Sequence, residues 1–398
     1  MNRFQRPEAD GGKQRATALE LFYDLVFVFA VTQVSYALLS DLTWSGAGQA
    51  VVVLLVVWWA WTYTTWVTNE LDTESTPVRL VLLAIMFASL LMAVAIPEAF
   101  GSRALLFAGA YVTIQVGRHT FLTLVAADAG TIERRRASRI LVWFMAAAVF
   151  WIAGGLFGQV RPWLWIAALA IDYSAPLFLY WVPGRRRLES TSWDVETSHF
   201  AERFQLFIII ALGEAIVLTG ATTAALDLDT ARIAALALAF LSSAALWWLY
   251  FDYVASVAEQ QLELASGNRT RLARDGYTYL HVVLVAGVVL AAVGDELVIA
   301  HPTEVLAPRE IVVVVAGPAV YLLGHTLFRL RMARSLSTKR LLGALACLAL
   351  APLGWFVPAL VLLLLTLCVL TAVIAFEHAA AAPRRSRGTR SPVEEVAV

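Results

Sequence analysis

The chain has 398 residues, of which 60% are hydrophobic and only 15% are charged, and its formal net charge is zero. A soluble globular protein carries roughly 25% charged residues, and the mean hydropathy of +0.72 is equally unlike that of a soluble protein. The composition therefore excludes an ordinary soluble domain, and the balanced charge gives no indication of a nucleic-acid partner.

Twelve apolar stretches separated by short loops follow one another along the chain, and a membrane-spanning helix needs roughly 20 such residues. We predict an all-α, polytopic membrane helical bundle with about 12 transmembrane helices. The predicted spans are 18–40, 46–68, 78–97, 103–126, 138–158, 162–182, 199–222, 230–254, 276–300, 309–330, 339–353 and 357–376. The eleventh is short, so residues 339–376 form either two full spans or a re-entrant hairpin.

Positive charge alternates between the loops. Of the 30 Lys and Arg residues, 24 lie in or beside the even-numbered intervals, 4 in the odd-numbered ones, and 2 inside apolar stretches, counting the N-terminus as interval zero. Because cytoplasmic loops are enriched in Lys and Arg, this pattern predicts a multi-pass protein of the bacterial plasma (inner) membrane with both termini cytoplasmic. The two exceptions, Arg118 and Arg203, lie where a charge is costly.

Three pairs of segments, each six spans apart, match in the same order. They are Glu20-Leu-Phe22 with Glu202-Arg203-Phe204, Trp58-Trp59 with Trp247-Trp248, and Gly117-Arg118-His119 with Gly324-His325. Because six is an even number of spans, both members of each pair cross the membrane in the same direction. The pattern therefore predicts two parallel six-helix repeats with a substrate path between them. The predicted organisation is a cytoplasmic segment at 1–17, repeats at 18–182 and 199–376, a cytoplasmic linker at 183–198, and a disordered tail at 377–398.

Charged side chains in the first and seventh spans suggest a polar path. Glu20 and Asp24 are four residues apart and share a helix face. Arg203 needs a partner on another helix, for which Glu20, Asp24 or Asp252 is a candidate. Glu214, in the outer half of the seventh span, is the best single candidate for a functional carboxylate; the alternative is a structural hydrogen bond.

The fourth and sixth spans add to this path. Arg118 requires a counter-charge, for which Asp24 or Asp172 is a candidate. Asp172 lies near the middle of its span, and Pro176 lacks the N–H that would bond its carbonyl. The complete candidate intramembrane polar path is Glu20, Asp24, Arg118, His119, Asp172, Glu202, Arg203, Glu214 and His325.

Structural alternatives exist for several of these residues. Glu20 also fits a position at headgroup level, and His119 and His325 also fit structural hydrogen-bonding groups. Asp295 and Glu296, near the outer end of the ninth span, are expected to lie wet at the interface.

The run Glu20-Leu-Phe-Tyr-Asp24-Leu-Val-Phe-Val-Phe-Ala30-Val-Thr-Gln33, together with Glu202-Arg203-Phe204 and Gly213-Glu214, resembles the bacterial low temperature requirement A family. The resemblance covers residues 15 to 376. It implies a polytopic inner-membrane protein and carries over no site residues.

Three functions remain open on this basis. The first is a secondary transporter or channel-like permease for a small solute or ion. The second is an intramembrane enzyme acting on a lipid or lipid-linked substrate, and the third is a non-catalytic membrane component that supports growth in the cold. No nucleotide-binding loop, dinucleotide fingerprint or metalloprotease motif occurs, so no catalytic residue and no cofactor is assigned. A metal site and the oligomeric state stay open; the partners expected are the lipid bilayer and an unidentified solute or ion.

Overall fold

In the computed structural model, residues 15–189, 193, 195–252, 254–265 and 269–386 are described. These residues form fourteen α-helices. They are α1 (Ala18–Ser40), α2 (Trp44–Glu70), α3 (Thr76–Ala95), α4 (Ala104–Phe121), α5 (Ile132–Leu156), α6 (Arg161–Ser174), α7 (Thr197–Ala224), α8 (Thr230–Phe251), α9 (Val254–Leu264), α10 (Arg269–Leu272), α11 (His281–Ala300), α12 (Pro308–Ala333), α13 (Thr338–Ala349) and α14 (Ala359–Ser386). Short π-helical turns follow α4 at Leu122–Ala126 and precede α11 at Ala273–Leu280.

Nine helices in the described part of the chain are long and apolar enough to cross a bilayer. The chain is therefore a polytopic, all-α membrane protein, as the hydropathy predicts. Each of the twelve predicted spans overlaps a helix, but three of these helices are not among the nine. They are α4, which carries Arg118 and His119, α6 with 14 residues, and α13 with 12. Twelve crossings therefore stay a prediction.

The sixth predicted span is shorter in the structure than in the sequence analysis. Helix α6 ends at Ser174, two residues before Pro176, because proline has no N–H to donate to the carbonyl of Asp172 and so cannot continue the helix. The chain continues in turns, where Leu179 and Tyr180 have φ angles of 50° and 51°. Asp172 is consequently in the last turn of α6 rather than in the middle of a longer helix.

The C-terminal helix is longer than predicted. Helix α14 continues through the first ten residues of the tail expected from residue 377. Ala379 and the three alanines after it have the highest helix propensity, and Arg340 binds the carboxylate of Glu377 through two hydrogen bonds of 2.9 and 2.8 Å. Residues 387–398, and residues 1–14 of the N-terminal segment, lie outside the described residues.

The chain divides into two compact units. Unit 1 comprises the described residues up to Ala37 together with Trp44–Arg203, and unit 2 comprises Leu38–Thr43 and the described residues from Phe204 onward. The division falls inside α7, close to residue 199, where the second repeat is predicted to begin. The repeat itself stays a prediction, and its aligned tryptophans differ in environment. Trp58 and Trp59 are buried, whereas Trp247 and Trp248 are 46% and 45% exposed.

In unit 1, α3, α4, α5 and α6 pack each against the next, and α2 packs against α4 and α6. The interior is rich in aromatic rings, because an apolar stretch surrounded by other helices can bury bulky side chains on every face. Its largest fully buried apolar side chains are Trp58, Trp59, Trp61, Trp151 and Trp165.

In unit 2, α11 and α12 form the most extensive helix pair. Their backbones approach closely at glycines: a Cβ placed on Gly317 would lie 2.5 Å from the backbone nitrogen of Ala291, and one on Gly287 would lie 2.6 Å from that of Tyr321. Small residues at a helix interface are the usual means of close packing inside membranes.

Candidate functional site

Four ionisable side chains meet inside unit 1, where the first two turns of α1 and α7 lie side by side. We call Glu20, Asp24, His199 and Arg203 the ion-pair cluster. Arg203 donates a 2.6 Å hydrogen bond to Oδ1 of Asp24 and lies 3.1 Å from Oε1 of Glu20. His199 Nε2 lies 3.0 Å from the same glutamate oxygen. Both carboxylates are at most 1% exposed, so each interaction forms away from water.

Helix ends position this cluster. Thr17 and Glu20 form a capping pair, in which the N–H and the hydroxyl of Thr17 donate to Oε2 of Glu20 at 2.8 and 2.9 Å. Glu202 accepts a 2.9 Å hydrogen bond from the N–H of Ala16. Glu196 begins α7 in the same way, since its carboxylate accepts the N–H of His199 at 2.6 Å. The same contacts therefore cap the N-termini of α1 and α7 and hold the ion-pair cluster in place.

The hydrogen bonds around Asn69 fix the protonation of His199. Asn69 accepts the N–H of Glu196 with Oδ1 at 3.0 Å and donates to the carbonyl of Glu196 with Nδ2 at 3.0 Å, so its amide can be oriented in one way. Its Nδ2 also lies 3.0 Å from Nδ1 of His199. Nδ1 must therefore accept, and Nε2 carries the hydrogen that is donated to Glu20. This arrangement is that of a neutral imidazole.

A second row of polar side chains starts next to the ion-pair cluster on α1. We call Tyr23, Thr64, Arg118, Gln115, Tyr111 and Asp172 the polar chain. Tyr23 and Arg118 both donate to Oγ1 of Thr64 at 2.8 Å, and Thr64 donates to the carbonyl of Ala60 at 3.0 Å. Trp61, one turn earlier on α2, donates to Asp24 at 2.8 Å. Helices α1 and α2 thus connect the ion-pair cluster to the polar chain.

Helix α4 carries the polar chain onward. Tyr111, Gln115 and Arg118 are spaced by four and three residues and share one face of α4. Arg118 donates to Oε1 of Gln115, Gln115 donates to the Tyr111 hydroxyl at 3.1 Å, and Tyr111 donates to Oδ2 of Asp172 at 2.8 Å. These hydrogen bonds link α2 to α6 through the interior of unit 1.

Asp172 ends the polar chain with one carboxylate oxygen engaged. Trp151 donates a second hydrogen bond to Oδ2, at 3.0 Å. The other oxygen, Oδ1, is buried and accepts no hydrogen bond from the described residues. Asp24 has the same arrangement: Oδ1 receives Trp61 and Arg203, whereas Oδ2 is buried without a described donor. Each carboxylate therefore keeps one oxygen able to accept a proton or contact a cation.

The expected ion pair of Arg118 with Asp24 or Asp172 is wrong for the described residues. Its guanidinium is buried against neutral acceptors and lies 5.6 Å from the centre of the Tyr63 ring. Gln115 and Tyr111 separate it from Asp172. Sequence spacing shows which charged residues share a face of a helix. It does not show that neutral amide and hydroxyl groups occupy the space between an arginine and an acid on different helices.

The remaining candidates have different surroundings. His119 lies in unit 1, with Nδ1 3.0 Å from the carbonyl of Gln115, in agreement with its structural alternative. Glu214 is buried in the unit 2 part of α7. His325, also in unit 2, has its ring 4.7 Å from that of Tyr321, and neither ring nitrogen bonds to a described residue. Asp295 is buried rather than wet, in contrast to the expectation.

Sequence reasoning missed the neutral members of the network, Thr64, Tyr111 and Trp151, and also the Asn69 amide. The i, i+4, i+7 spacing of Tyr111, Gln115 and Arg118 was the available signal. Within the described residues, no group of three or more His, Cys, Asp or Glu side chains is placed to hold a metal ion.

Comparison with known proteins gives the family. The family model described as "Bacterial low temperature requirement A protein (LtrA)" matches residues 15–375. A protein of Rhizobium meliloti (strain 1021), described as "Uncharacterized protein RA0937", is 36% identical over 368 residues, which cover 92% of this chain and 90% of the relative. No solved structure matches the chain. The match extends over both units and includes every residue of the ion-pair cluster and the polar chain, so the protein belongs to the bacterial low temperature requirement A family.

Proposed function

We propose that this protein is a secondary transporter or channel-like permease for a small ion or solute. It resides in the bacterial plasma membrane, crosses it twelve times as two parallel six-helix repeats, and keeps both termini in the cytoplasm. The transport path follows the ion-pair cluster and the polar chain inside unit 1, in place of the path between the two repeats that the sequence pattern predicts. The observation that carries the proposal is the row of buried polar side chains between His199 and Asp172, which are hydrogen-bonded within the ion-pair cluster and within the polar chain.

The extent of this row along the membrane supports a path. The ion-pair cluster lies at the first two turns of α1 and α7, the ends that the charge pattern assigns to the cytoplasm. Tyr111 lies seven residues from the start of α4, and Asp172 lies eleven residues from the start of α6, which is about 10 and 16 Å at 1.5 Å per residue. The row therefore runs from the cytoplasmic end towards the middle of a hydrocarbon core of about 30 Å.

The cost of burial also favours transport over a purely structural role. A buried ion pair is often no more stabilising than apolar side chains of the same volume. Inside a membrane, ionisable residues usually mark ion pathways or proton relays. Six ionisable side chains converge here: Glu20, Asp24, Arg118, Asp172, His199 and Arg203.

The hydrogen bonds suggest how the path operates. Arg203 contacts both Glu20 and Asp24. A proton or cation that binds one of these carboxylates weakens its contact with Arg203, which then pairs with the other carboxylate alone. The ion-pair cluster acts as the inner gate. Asp172, with its free Oδ1, is the acceptor at the other end. Arg118 between them is a fixed positive charge that prevents uncoupled leakage of cations, as a pore arginine does elsewhere.

A flux assay in proteoliposomes tests the proposal. The full-length protein is reconstituted with a pH-sensitive dye inside, and proton flux is measured under gradients of H⁺, Na⁺ or K⁺. We expect flux above that of empty liposomes, and at least a tenfold reduction in Asp172→Asn. Asp128→Asn, which changes an exposed loop carboxylate in the same unit, is the matched control and keeps the wild-type rate.

Two further variants separate the candidate acids. Tyr111→Phe removes one of the two donors to Asp172 without removing the carboxylate, and we expect an intermediate rate. Glu214→Gln tests the unit 2 carboxylate independently. Equal flux in the wild type, Asp172→Asn and empty liposomes under all three gradients contradicts ion transport. A deletion strain with an altered lipid composition would then favour the intramembrane enzyme.

A further inference from the structure

Arg139, on the second turn of α5, is buried without a hydrogen-bond or ion-pair partner among the described residues. The residue is 6% exposed, and its Nε and one terminal nitrogen are buried without a hydrogen-bond acceptor among the described residues. Arg136, three residues earlier, shows the ordinary alternative, because it pairs with Glu70 and lies 5.5 Å from the centre of the Trp193 ring. A buried guanidinium without an anion is costly, so Arg139 has an unmet requirement for negative charge.

Neighbouring positive charges increase this requirement. Arg135 and Arg185 both act electrostatically on the guanidinium of Arg139, and both are exposed. No carboxylate lies within ion-pair distance of Arg139 in the part of the chain that the structure describes. These three arginines have no paired acid among the residues that the structure describes. They form a positively charged cluster that suits a phosphate, which accepts several guanidinium hydrogen bonds at once.

A tight turn holds Arg185 in this position. The N–H of Arg185 donates to the carbonyl of Val182 at 3.1 Å, with Pro183 and Gly184 between them. Gly184 has a φ of +76°, so the four residues have the features of a type II turn, which favours proline and then glycine at its centre. The carbonyl of Trp181, just before the turn, accepts the indole N–H of Trp143 at 3.1 Å. The turn and the hydrogen bond from Trp143 therefore hold the backbone of Arg185 next to α5.

The surface next to Arg139 is aromatic and exposed. Trp143 lies four residues after Arg139 on the same face of α5, and its ring stacks on Phe178 at 6.4 Å. Phe178 and Trp181 are 62% and 41% exposed. Aromatic side chains beside arginines are typical of the level where acyl chains meet headgroups. This adjacency favours a lipid phosphate over a free phosphate ion.

We propose that Arg135, Arg139 and Arg185 bind the phosphate of an anionic phospholipid, with its acyl chains lying along Trp143 and Phe178. The site is independent of the transport path. Lipid bound there ties the first turns of α5 to the segment after α6, and it supplies the negative charge that Arg139 lacks.

Lipid-dependent thermal stability of the purified full-length protein tests the proposal. Unfolding in a nonionic detergent is followed by tryptophan fluorescence during titration with palmitoyl-oleoyl phosphatidylglycerol, the matching phosphatidylcholine, or sodium phosphate. We expect phosphatidylglycerol to raise the melting temperature at lower concentration than the other two. The half-saturating concentration should increase about tenfold in Arg139→Gln, the loss expected for a charge-assisted contact.

Two controls keep the test decisive. Arg271→Gln, an exposed arginine of unit 2, should respond to phosphatidylglycerol as the wild type does. Should Arg139→Gln fail to fold, the double variant Arg135→Gln/Arg185→Gln removes two exposed charges and should show the same weakening. An unchanged phosphatidylglycerol response in these variants overturns the site. Equal stabilisation by phosphatidylcholine overturns the requirement for an anionic lipid, and equal stabilisation by sodium phosphate overturns the lipid as its source.

Discussion

Replacing Arg203 by methionine should be among the most destabilising single changes in unit 1. Methionine approximates the length of the side chain but removes the positive charge. Asp24 would then keep only its hydrogen bond from Trp61, and Glu20 would keep His199 and its capping contacts. Both carboxylates would stay buried, with at most 1% of either residue exposed.

The size of the effect follows from burial. Removing one partner of a buried ion pair costs about 3 to 5 kcal/mol, because an uncompensated charge remains. An exposed pair contributes about 0 to 1 kcal/mol. Arg232, which lies 3.4 Å from Asp229 at the surface, provides that comparison through Arg232→Met. The double variant Asp24→Asn/Arg203→Met should cost less than the sum of its single changes, by about 0.5 to 3 kcal/mol.

Equilibrium unfolding in mixed micelles, with increasing sodium dodecyl sulfate and tryptophan fluorescence as the signal, measures these free energies. The wild type, the three single variants and the double variant are compared under one condition. A loss of stability in Arg203→Met no larger than that in Arg232→Met would contradict a strong buried ion pair, and so would additive effects of Asp24→Asn and Arg203→Met.

Three further outcomes are expected. Gly317→Ala should destabilise the protein by about 1 to 3 kcal/mol, because its Cβ would collide with the neighbouring backbone. Gly109→Ala, whose Cβ would have nothing within 4 Å, should not. Equal melting temperatures of the two variants would contradict the close approach of α11 and α12. Solid-state NMR of ¹⁵N-labelled histidine should show His199 with hydrogen on Nε2 alone, and Asn69→Leu should abolish that preference; hydrogen on both nitrogens in the wild type would contradict the assigned bond. Thr131→Ala should cost about 1 kcal/mol, since its hydroxyl caps α5; no loss on thermal unfolding would contradict the cap.

Hydropathy predicted the fold class because it depends on composition over whole segments, whereas the orientation that the charge alternation indicates stays a prediction. The all-α membrane bundle follows from the length and apolarity of the spans, and their start positions agree closely with those of α1, α7, α8 and α12. Boundaries were less predictable where a single residue decides them. Pro176 ends α6 early, whereas the alanines after residue 378 prolong α14.

The candidate site was predictable where a charge had to be neutralised. Arg203 pairs with Glu20 and Asp24, two of the three partners that its position allowed. Arg118 was not predictable in this way, because amide and hydroxyl groups from α2 and α4 satisfy its guanidinium. Neutral side chains such as Thr64 and Tyr111 are common in any apolar segment, and only their three-dimensional neighbours distinguish them as parts of a network.

Whether water reaches the polar chain is the most direct test of the proposed path. Cys347 and Cys368 are first replaced by alanine. Single cysteines then replace Thr64 in the polar chain, Thr113 on the exposed face of α4, and Ser102 in a loop. Membranes are then treated with a small, charged thiol reagent. We expect labelling at positions 64 and 102 but not at the lipid-facing position 113. Labelling at position 102 alone would show a dry core and contradict a transport path.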